Sequence, residues 1–511
     1  MSDIIIILLL ILLNGVFAMS EIAIISARKH VLEKKSKGGH KGAATALKLA
    51  TDPDLFLSTI QIGITLIGIL TGIFSGEALG GHLAKLLSRE NHDITLIDDD
   101  PTRLRSLENS YDLSVLEGSA TSLTILRNAG VDEADLFVGV TKNESQNLNA
   151  CILAHELGAK KTVARIDSED LMEHENRALL AKLGVEKLIY PELLAAEEIA
   201  QSIRQSWVRQ WIDFNGGKLL VLAVKVRDNA PIVNKRLMDL KGSQNYRIVT
   251  IKREEETIIP GGHTEILAGD VVYFITTPDY IDDVRKQAGK KLYTVKDMIV
   301  MGGGKIAVKT VQELNGVNIK MFEKDEKKVR KLVEQEIGNA LVFQGDATDI
   351  ELLKEENIDD ADAFVALTDN SEANILACLA ARRHGVQKIV AEVENVDYIP
   401  LAERMDIGVI INKMEIAATY IYRLSLSSDI RKVKRMSYAD AEIVELTAKE
   451  GSKITKGFVK DLNLPMNMFI GGVIRNGESF IVNGMSEIFA GDKVVVFCLK
   501  SSIKRLSELF N

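Results

Sequence analysis

"MIVMGGGKIAVKTVQELNGVNIKMFE", residues 298–323, decides how most of this chain folds. "MIVMG" is a short apolar run fit for a strand buried on both faces, the glycines open a helix, and "VNIKMFE" reads as the next strand. Gly302, Gly304 and Ala307 fill G-x-G-x-x-A at the strand-to-helix turn, and Glu323 follows about 20 residues on. The first glycine permits the tight turn, and the second lets a pyrophosphate approach the backbone at the helix N-terminus. Glu323, at a strand end, is placed to accept hydrogen bonds from a ribose diol and would repel a 2′-phosphate. That selects NAD or an adenine nucleotide over NADP. A tight structural turn beside a solvated acid is the competing reading.

Downstream, "ALVFQ", "AFVAL", "KIVAEV" and "GVII" alternate with amphipathic helical stretches, the pattern of an α/β, doubly wound Rossmann-like parallel sheet. "QGDATD", with Asp346 and Thr348, and "ALTDNSEAN", with Thr368, Asp369 and Asn374, end strands on the edge where such sheets bind ligands. These residues are candidates for holding adenosine or ribose. Asp346 and Asn374 read equally well as helix caps or turn formers.

The same text occurs twice. Residues 118–167 match residues 345–394 at a constant offset of 227, and "GGHTEILAGDVVYFIT" (261–276) recurs as "NGMSEIFAGDKVVVFC" (483–498). The chain is therefore a tandem duplication of a two-domain unit. In the first copy Asp98, closing "HDITLID", matches the ribose acid, and Arg165, opposite Glu392 of the second copy, is a candidate phosphate contact. After each dinucleotide domain comes a small α+β module of short strands and Gly/Asp turns that reads as regulatory or dimerising.

The beginning of the chain differs. Ile4 to Ser20 carries no charge, and after Glu21 the apolar run resumes to Ala27, long enough to span a bilayer. A signal peptide competes, but no basic residues precede the apolar run and no clear small-residue cleavage site follows it. Arg28, Lys29, Lys34, Lys35, Lys37, Lys41 and Lys48 come next, a basic loop expected on the cytoplasmic side. A second uncharged run, Leu55 to Phe74, is also about the length of a span, yet its glycines and β-branched residues suit a buried strand equally.

Composition narrows the function classes. A net charge of −9 and 5% aromatic residues disfavour nucleic-acid binding. Cys151, Cys378 and Cys498 lie far apart, and the eight histidines contain no HExxH, so no metal site and no catalytic residue is expected. A dehydrogenase would need a positioned general acid facing the nicotinamide, and neither β-rich module offers one in both copies.

The duplicated dinucleotide domain and β-rich module, with "GDATD", "LTDNSEANI" and the repeated "AGD", resemble the Trk-type potassium-uptake regulator family, whose domains regulate potassium conductance (RCK). The resemblance runs over about residues 80–511 and implies a non-enzymatic regulator. In that reading NAD(H) or ATP/ADP shifts a homo-oligomeric ring seated on a Trk-type potassium channel membrane subunit. Members of the family begin with "GAGEVG" before "THLAKLL". Here "GGHLAKLL" (80–87) follows Ser75 and Glu77 at the first two glycine positions, with Gly80 retained, so affinity at the first site should fall. "LLLILLNGVFAMSEIAIISAR" (8–28) and "DLFLSTIQIGITLIGILTGIF" (54–74) resemble the CorC/CNNM transmembrane domain over about residues 4–76. That resemblance makes Asn14, Ser20 and Glu21 candidates near an ion pathway, and CorC-like magnesium or cobalt transport is the alternative function.

The expected organisation is then a transmembrane segment and basic cytoplasmic loop at 1–50, with the CorC/CNNM-like fragment continuing to about 76. A first Rossmann-like RCK N domain spans 64–205, with "LIGILTGIF" (66–74) replacing its first strand, and its C module spans 206–290. The second N domain covers 294–428 and the second C module 429–511. The chain is expected at the cell inner membrane, held through its N-terminal segment, with its bulk cytoplasmic. A cysteine introduced at an exposed site of the repeat region should stay unlabelled by a membrane-impermeant maleimide in intact cells. Labelling from outside would overturn this topology.

Overall fold

The computed structural model describes Gly42 and residues 79–88, 92–240, 245–254, 256–425, 430–436, 439, 441–462, 464–465, 467–499 and 509–510. The chain divides into two units, Met1–Ala78 and Leu79–Asn511, and the second holds all of these residues but Gly42. The expected span from Ile4, the Leu55 to Phe74 run, its use as a replacement strand, and Ser75 and Glu77 all lie outside the described residues. No helix among the described residues is long and apolar enough to cross a membrane.

The first copy contains helix α1 (Leu79–Ser88), strand β1 (Thr95–Asp98), α2 (Pro101–Ser110), β2 (Ser114–Glu117), α3 (Leu123–Asn128), β3 (Phe137–Gly139), α4 (Glu144–Leu157), β4 (Thr162–Arg165), α5 (His174–Lys182), β5 (Lys187–Ile189) and α6 (Pro191–Arg204). Its module follows with β6 (Gln210–Phe214), β7 (Leu219–Lys225), β8 (Lys235–Arg236), β9 (Tyr246–Arg253), β10 (Glu256–Ile258), β11 (Glu265–Ile266), β12 (Val271–Thr276) and α7 (Ile281–Gln287).

The second copy repeats the order with β13 (Asp297–Met301), α8 (Lys305–Glu313), β14 (Asn318–Glu323), α9 (Glu326–Glu334), β15 (Ala340–Gln344), α10 (Ile350–Glu355), β16 (Ala363–Ala366), α11 (Ser371–Arg383), β17 (Lys388–Glu392), α12 (Ile399–Arg404), β18 (Val409–Ile411) and α13 (Lys413–Ser425). Its module contains β19 (Ile430–Arg435), β20 (Ala441–Thr447), β21 (Met468–Arg475), β22 (Glu478–Ile481) and β23 (Lys493–Leu499).

Six parallel strands run β15-β14-β13-β16-β17-β18, the doubly wound order that reverses direction beside β13. All four residues of β16 are buried, as a strand covered by helices on both faces must be. In the first copy the described strands form two parallel sheets, β1-β2 and β3-β4-β5. β1 and β3 correspond to β14 and β16, which flank β13 in the second copy.

The modules share one topology, β10-β9-β12-β7-β6 and β22-β21-β23-β20-β19. The repeated "AGD" explains itself structurally. Asp270 grips Arg253 through both carboxylate oxygens (3.0 and 2.8 Å), and Asp492 grips Arg475 in the same way (2.8 and 2.7 Å). Each aspartate also accepts the backbone N–H three residues before it, pinning the turn. One apolar core joins the modules, drawing Phe214, Leu219, Tyr273 and Ile275 from the first and Ile443, Val495 and Phe497 from the second. Gly471 and Gly472 sit at a bulge in β21 where any Cβ would fall within 3.0 Å of Phe497 and Leu219 side-chain atoms.

The two copies also interlock through helices. α6 of the first packs on α8 of the second, and α1 of the first packs on α13 of the second. Ala195, Ile199, Ala200 and Ile203 join Ile306, Ala307 and Val311 in one cluster, while Leu79 and Leu83 join Ala417, Ala418 and Ile421 in another. Because Ile199 is fully buried in the shared cluster, Ile199→Ala should cost about 2–4 kcal/mol. A guanidinium unfolding curve followed by the fluorescence of Trp207 and Trp211 would measure it.

Candidate nucleotide site

The turn after β13 is built as the spacing requires. Gly302 has φ of +99°, and a Cβ there would lie 2.7 Å from the Leu367 carbonyl oxygen. No other residue fits that turn without strain. Gly304 precedes α8 with extended backbone, and the nearest atom to a Cβ placed there is 4.0 Å away, so open space lies before the helix. Among the described residues no side chain caps α8, whereas Asp325, Asp349 and Asn370 cap α9, α10 and α11. The first-turn amides of α8 therefore keep their capacity to bind an anion. Ala307 is buried in the shared cluster with α6.

Glu323 stands at the end of β14, 8% exposed, so it is not the solvated acid of the competing reading. One carboxylate oxygen accepts the Gly303 N–H at 2.9 Å and the other the Asp325 N–H at 2.9 Å. The acid thus holds the glycine turn in shape. Asp346 accepts from the Thr348 N–H (3.0 Å) and hydroxyl (2.7 Å) and from Lys324 Nζ (3.0 Å), and the Thr348 bonds lead in holding its carboxyl down at about 2.

Thr368 lies two residues beyond β16, and its N–H and hydroxyl donate to Asn374 Oδ1 at 3.2 and 2.6 Å. The fully buried Asn374 amide donates to the carbonyls of Thr368 and Glu392 at 2.8 and 2.9 Å. Both donors and both acceptor positions are used. Asn374 thereby clasps two strand ends and positions Thr368, and the cap of α11 is Asn370. The first copy repeats the clasp with Asn147, Thr141 and the Arg165 carbonyl.

The equivalent edge of the first copy has different chemistry. Asp98 accepts from the Asp100 N–H at 2.9 Å and from Arg103 Nη1 at 2.7 Å. Ser119 replaces Asp346 and bonds Thr121 at 2.9 Å. Arg165 lies 3.3 Å from Asp167, its side chain 11% exposed and its Nε buried without a hydrogen-bond partner among the described residues. Its counterpart Glu392 is pushed up to about 7 by burial, opposed by Lys413 at 3.4 Å.

Sequence reasoning missed the contacts across the copies. Lys305, directly after Gly304, donates to the Asp167 carbonyl of the first copy at 3.0 Å, and Lys309 pairs with Glu169. The loop following β4 therefore borders the glycine turn of the other copy. Contacts between distant segments leave no periodic signal, so only the lysines so close to the glycines hinted at them. Cys151 and Cys378, by contrast, are buried, and each thiol donates to a strand carbonyl (3.3 and 3.5 Å). Burial pushes both thiols well up, as core residues and not as redox groups. No group of metal ligands occurs among the described residues.

Comparison with known proteins fits this geometry. Residues 72–191 and 298–413 match the TrkA-N domain, and residues 221–289 and 443–511 match the TrkA-C domain. Residues 4–98 match the Cyclin M transmembrane N-terminal domain, overlapping the first TrkA-N match. The chain is 32% identical over 448 residues to the Trk system potassium uptake protein TrkA of Vibrio alginolyticus, an alignment covering 86% of this chain and 98% of that protein. It is 30% identical to TrkA homolog 1 of Methanosarcina mazei, covering 86% and 99%. In fold it is similar to the GsuK RCK domain (TM-score 0.54, 15% identity, covering 85% and 93%). It is also similar to the GsuK channel bound to NAD (TM-score 0.53, 14% identity, covering 100% of each).

The two glycines should respond differently to one methyl group. Gly302→Ala should lose roughly 1–3 kcal/mol from the forced backbone and the Leu367 clash. Gly304→Ala, facing open space, should stay within about 0.5 kcal/mol of the parent in urea unfolding.

Proposed function

Because the chain belongs to the TrkA family of Trk system potassium uptake proteins, we propose that it is a nucleotide-sensing regulatory subunit of potassium uptake. Its second copy binds NAD(H) or ATP/ADP and, through a conformational change, gates a Trk-type potassium channel subunit in the membrane. The observation that carries the reading is the uncapped N-terminus of α8, with open space before Gly304 and, beside it, a lysine that reaches the other copy. In this role the first-turn amides of α8 take the phosphates, Glu323 holds the glycine turn and meets the ribose, and Asp346, Thr348 and Thr368 line the adenosine edge.

Regulation follows from the placement of Lys305 and Lys309. A ligand shifts a conformational equilibrium only as far as it binds the two states unequally. A nucleotide at α8 would compete with the contacts these lysines make to Asp167 and Glu169, so occupancy changes how the copies are held together. In this reading the nucleotide acts as a signal and is not consumed. The first site, with Ser119 for Asp346 and Arg165 for Glu392, has diverged toward a weaker or different role. The Cyclin M-like segment fixes the chain at the inner membrane, and a homo-oligomeric ring of the remainder sits on the channel.

Calorimetric titration of the purified chain with NADH, NAD, ATP and ADP tests this. At least one should bind saturably, and Gly304→Glu, which sets a carboxylate before the helix N-terminus, should weaken it by about tenfold or more. Absence of binding by the parent chain would remove nucleotide sensing and leave a structural ring subunit.

A further inference from the structure

A second charged site lies at the junction between the first module and the second dinucleotide domain. Asp406, in the turn after α12, has φ of +59°, a left-handed conformation that aspartate tolerates better than most residues. Its carboxylate meets four cations. Lys225 Nζ, at the end of β7, lies 2.7 Å from Oδ1; Arg227 lies 3.3 Å and Arg382 3.6 Å from Oδ2; and Arg209, ahead of β6, pairs with Oδ1. Arg382 also donates to the carbonyls of Met405 and Asp406, so the turn and the end of α11 are fixed together.

Two further lysines belong to this neighbourhood. Lys290 is pushed down to about 8 by burial and then by Arg227 and Arg209, with Asp406 opposing. Lys388 donates to the Val208 carbonyl at 3.0 Å, and burial followed by Arg209 pushes it to about 7. Among the described residues Lys225, Arg227 and Arg382 share the single carboxylate of Asp406, which balances one of their three charges. Holding cations half out of water is costly unless negative charge compensates them.

The four cations differ in exposure. Arg209, Lys225 and Arg382 have side chains 13%, 22% and 33% exposed, while Arg227, 61% exposed, is the one most open to solvent. Guanidinium forks from separate segments suit the oxygens of a phosphate-type anion. Lys388 opens β17 and Glu392 closes it, so this junction lies at the opposite end of the sheet from the glycine turn.

We propose that this junction is a second ligand site, taking a small multivalent oxyanion of the phosphate class. In it Arg227 and Lys290 capture the anion, and Arg209, Lys225 and Arg382 are held ready by Asp406. An anion bound there draws the first module onto the second dinucleotide domain, because its positive partners come from both.

The test titrates the purified full chain with inorganic pyrophosphate at constant ionic strength, with chloride as the monovalent control. Affinity is read by calorimetry and the melting temperature by scanning fluorimetry. The parent and Gly304→Glu should both bind saturably and melt higher. Arg227→Ala combined with Lys290→Ala, its fold checked by a cooperative melt without ligand, should bind about tenfold more weakly or worse. The proposal is overturned by failure of the parent to bind, by binding unchanged in the double variant, or by binding lost in Gly304→Glu, which would place pyrophosphate at the glycine turn. Because Gly304→Glu also tests the nucleotide site, failure of either reading is seen separately.

Discussion

Close approach between α6 and α8, and between α1 and α13, is the constraint on which the rest of the repeat region depends. The approach is possible because the contacting faces are small: Ala195, Ala196, Ala200, Ala307, Ala417 and Ala418 are all fully buried. Larger side chains there would push the helices apart or force strained rotamers. The consequence is functional as well as structural. With α8 fixed against α6, the glycine turn lies where Lys305 and Lys309 reach the loop after β4, and each copy borders the ligand edge of the other.

Duplication preserved some residues and released others, and energetics separates the two groups. The clasp of Asn374 recurs in Asn147, and the Arg475–Asp492 pair recurs in Arg253–Asp270. The two asparagines and the two aspartates are buried, and losing a partner leaves such a group unsatisfied at a cost of about 1–3 kcal/mol. At the ligand edge the copies disagree, with Ser119 for Asp346, Arg165 for Glu392 and His82 for Lys309. Under the proposed function, side chains there serve a ligand or the opposite copy.

That division also explains how much was legible in the sequence. Strand order, the glycine turn and the tandem repeat follow from local periodicity and from self-similarity, which one chain displays openly. Glu323 was legible as an acid near the ribose position, but its grip on the Gly303 and Asp325 amides was not, because a carboxylate 20 residues from a turn gives no sign of which way it points. Asn374 looked equally like a ligand contact, a cap or a turn former, and only its four bonds to strand ends decide its role. Asp406 drew no notice, since its partners lie on segments up to 197 residues away. Charge clusters assembled from distant segments are visible only in three dimensions.

The linkers show how a change at α8 could reach the modules. α6 runs into Ser206, whose hydroxyl donates to the Tyr293 carbonyl at 2.5 Å, while the Tyr293 hydroxyl donates back to the Ser206 carbonyl at 3.3 Å. The chain leaving the first dinucleotide domain is thus tied to the chain entering the second. Arg209, three residues on, pairs with Asp406. Both modules share one packed core, and packed cores rearrange between discrete states sooner than they deform. A displacement of α8 against α6 therefore cannot be absorbed locally. The Ser206–Tyr293 tie and the junction where Asp406 meets its cations are polar places where it can be taken up, beside the apolar clusters.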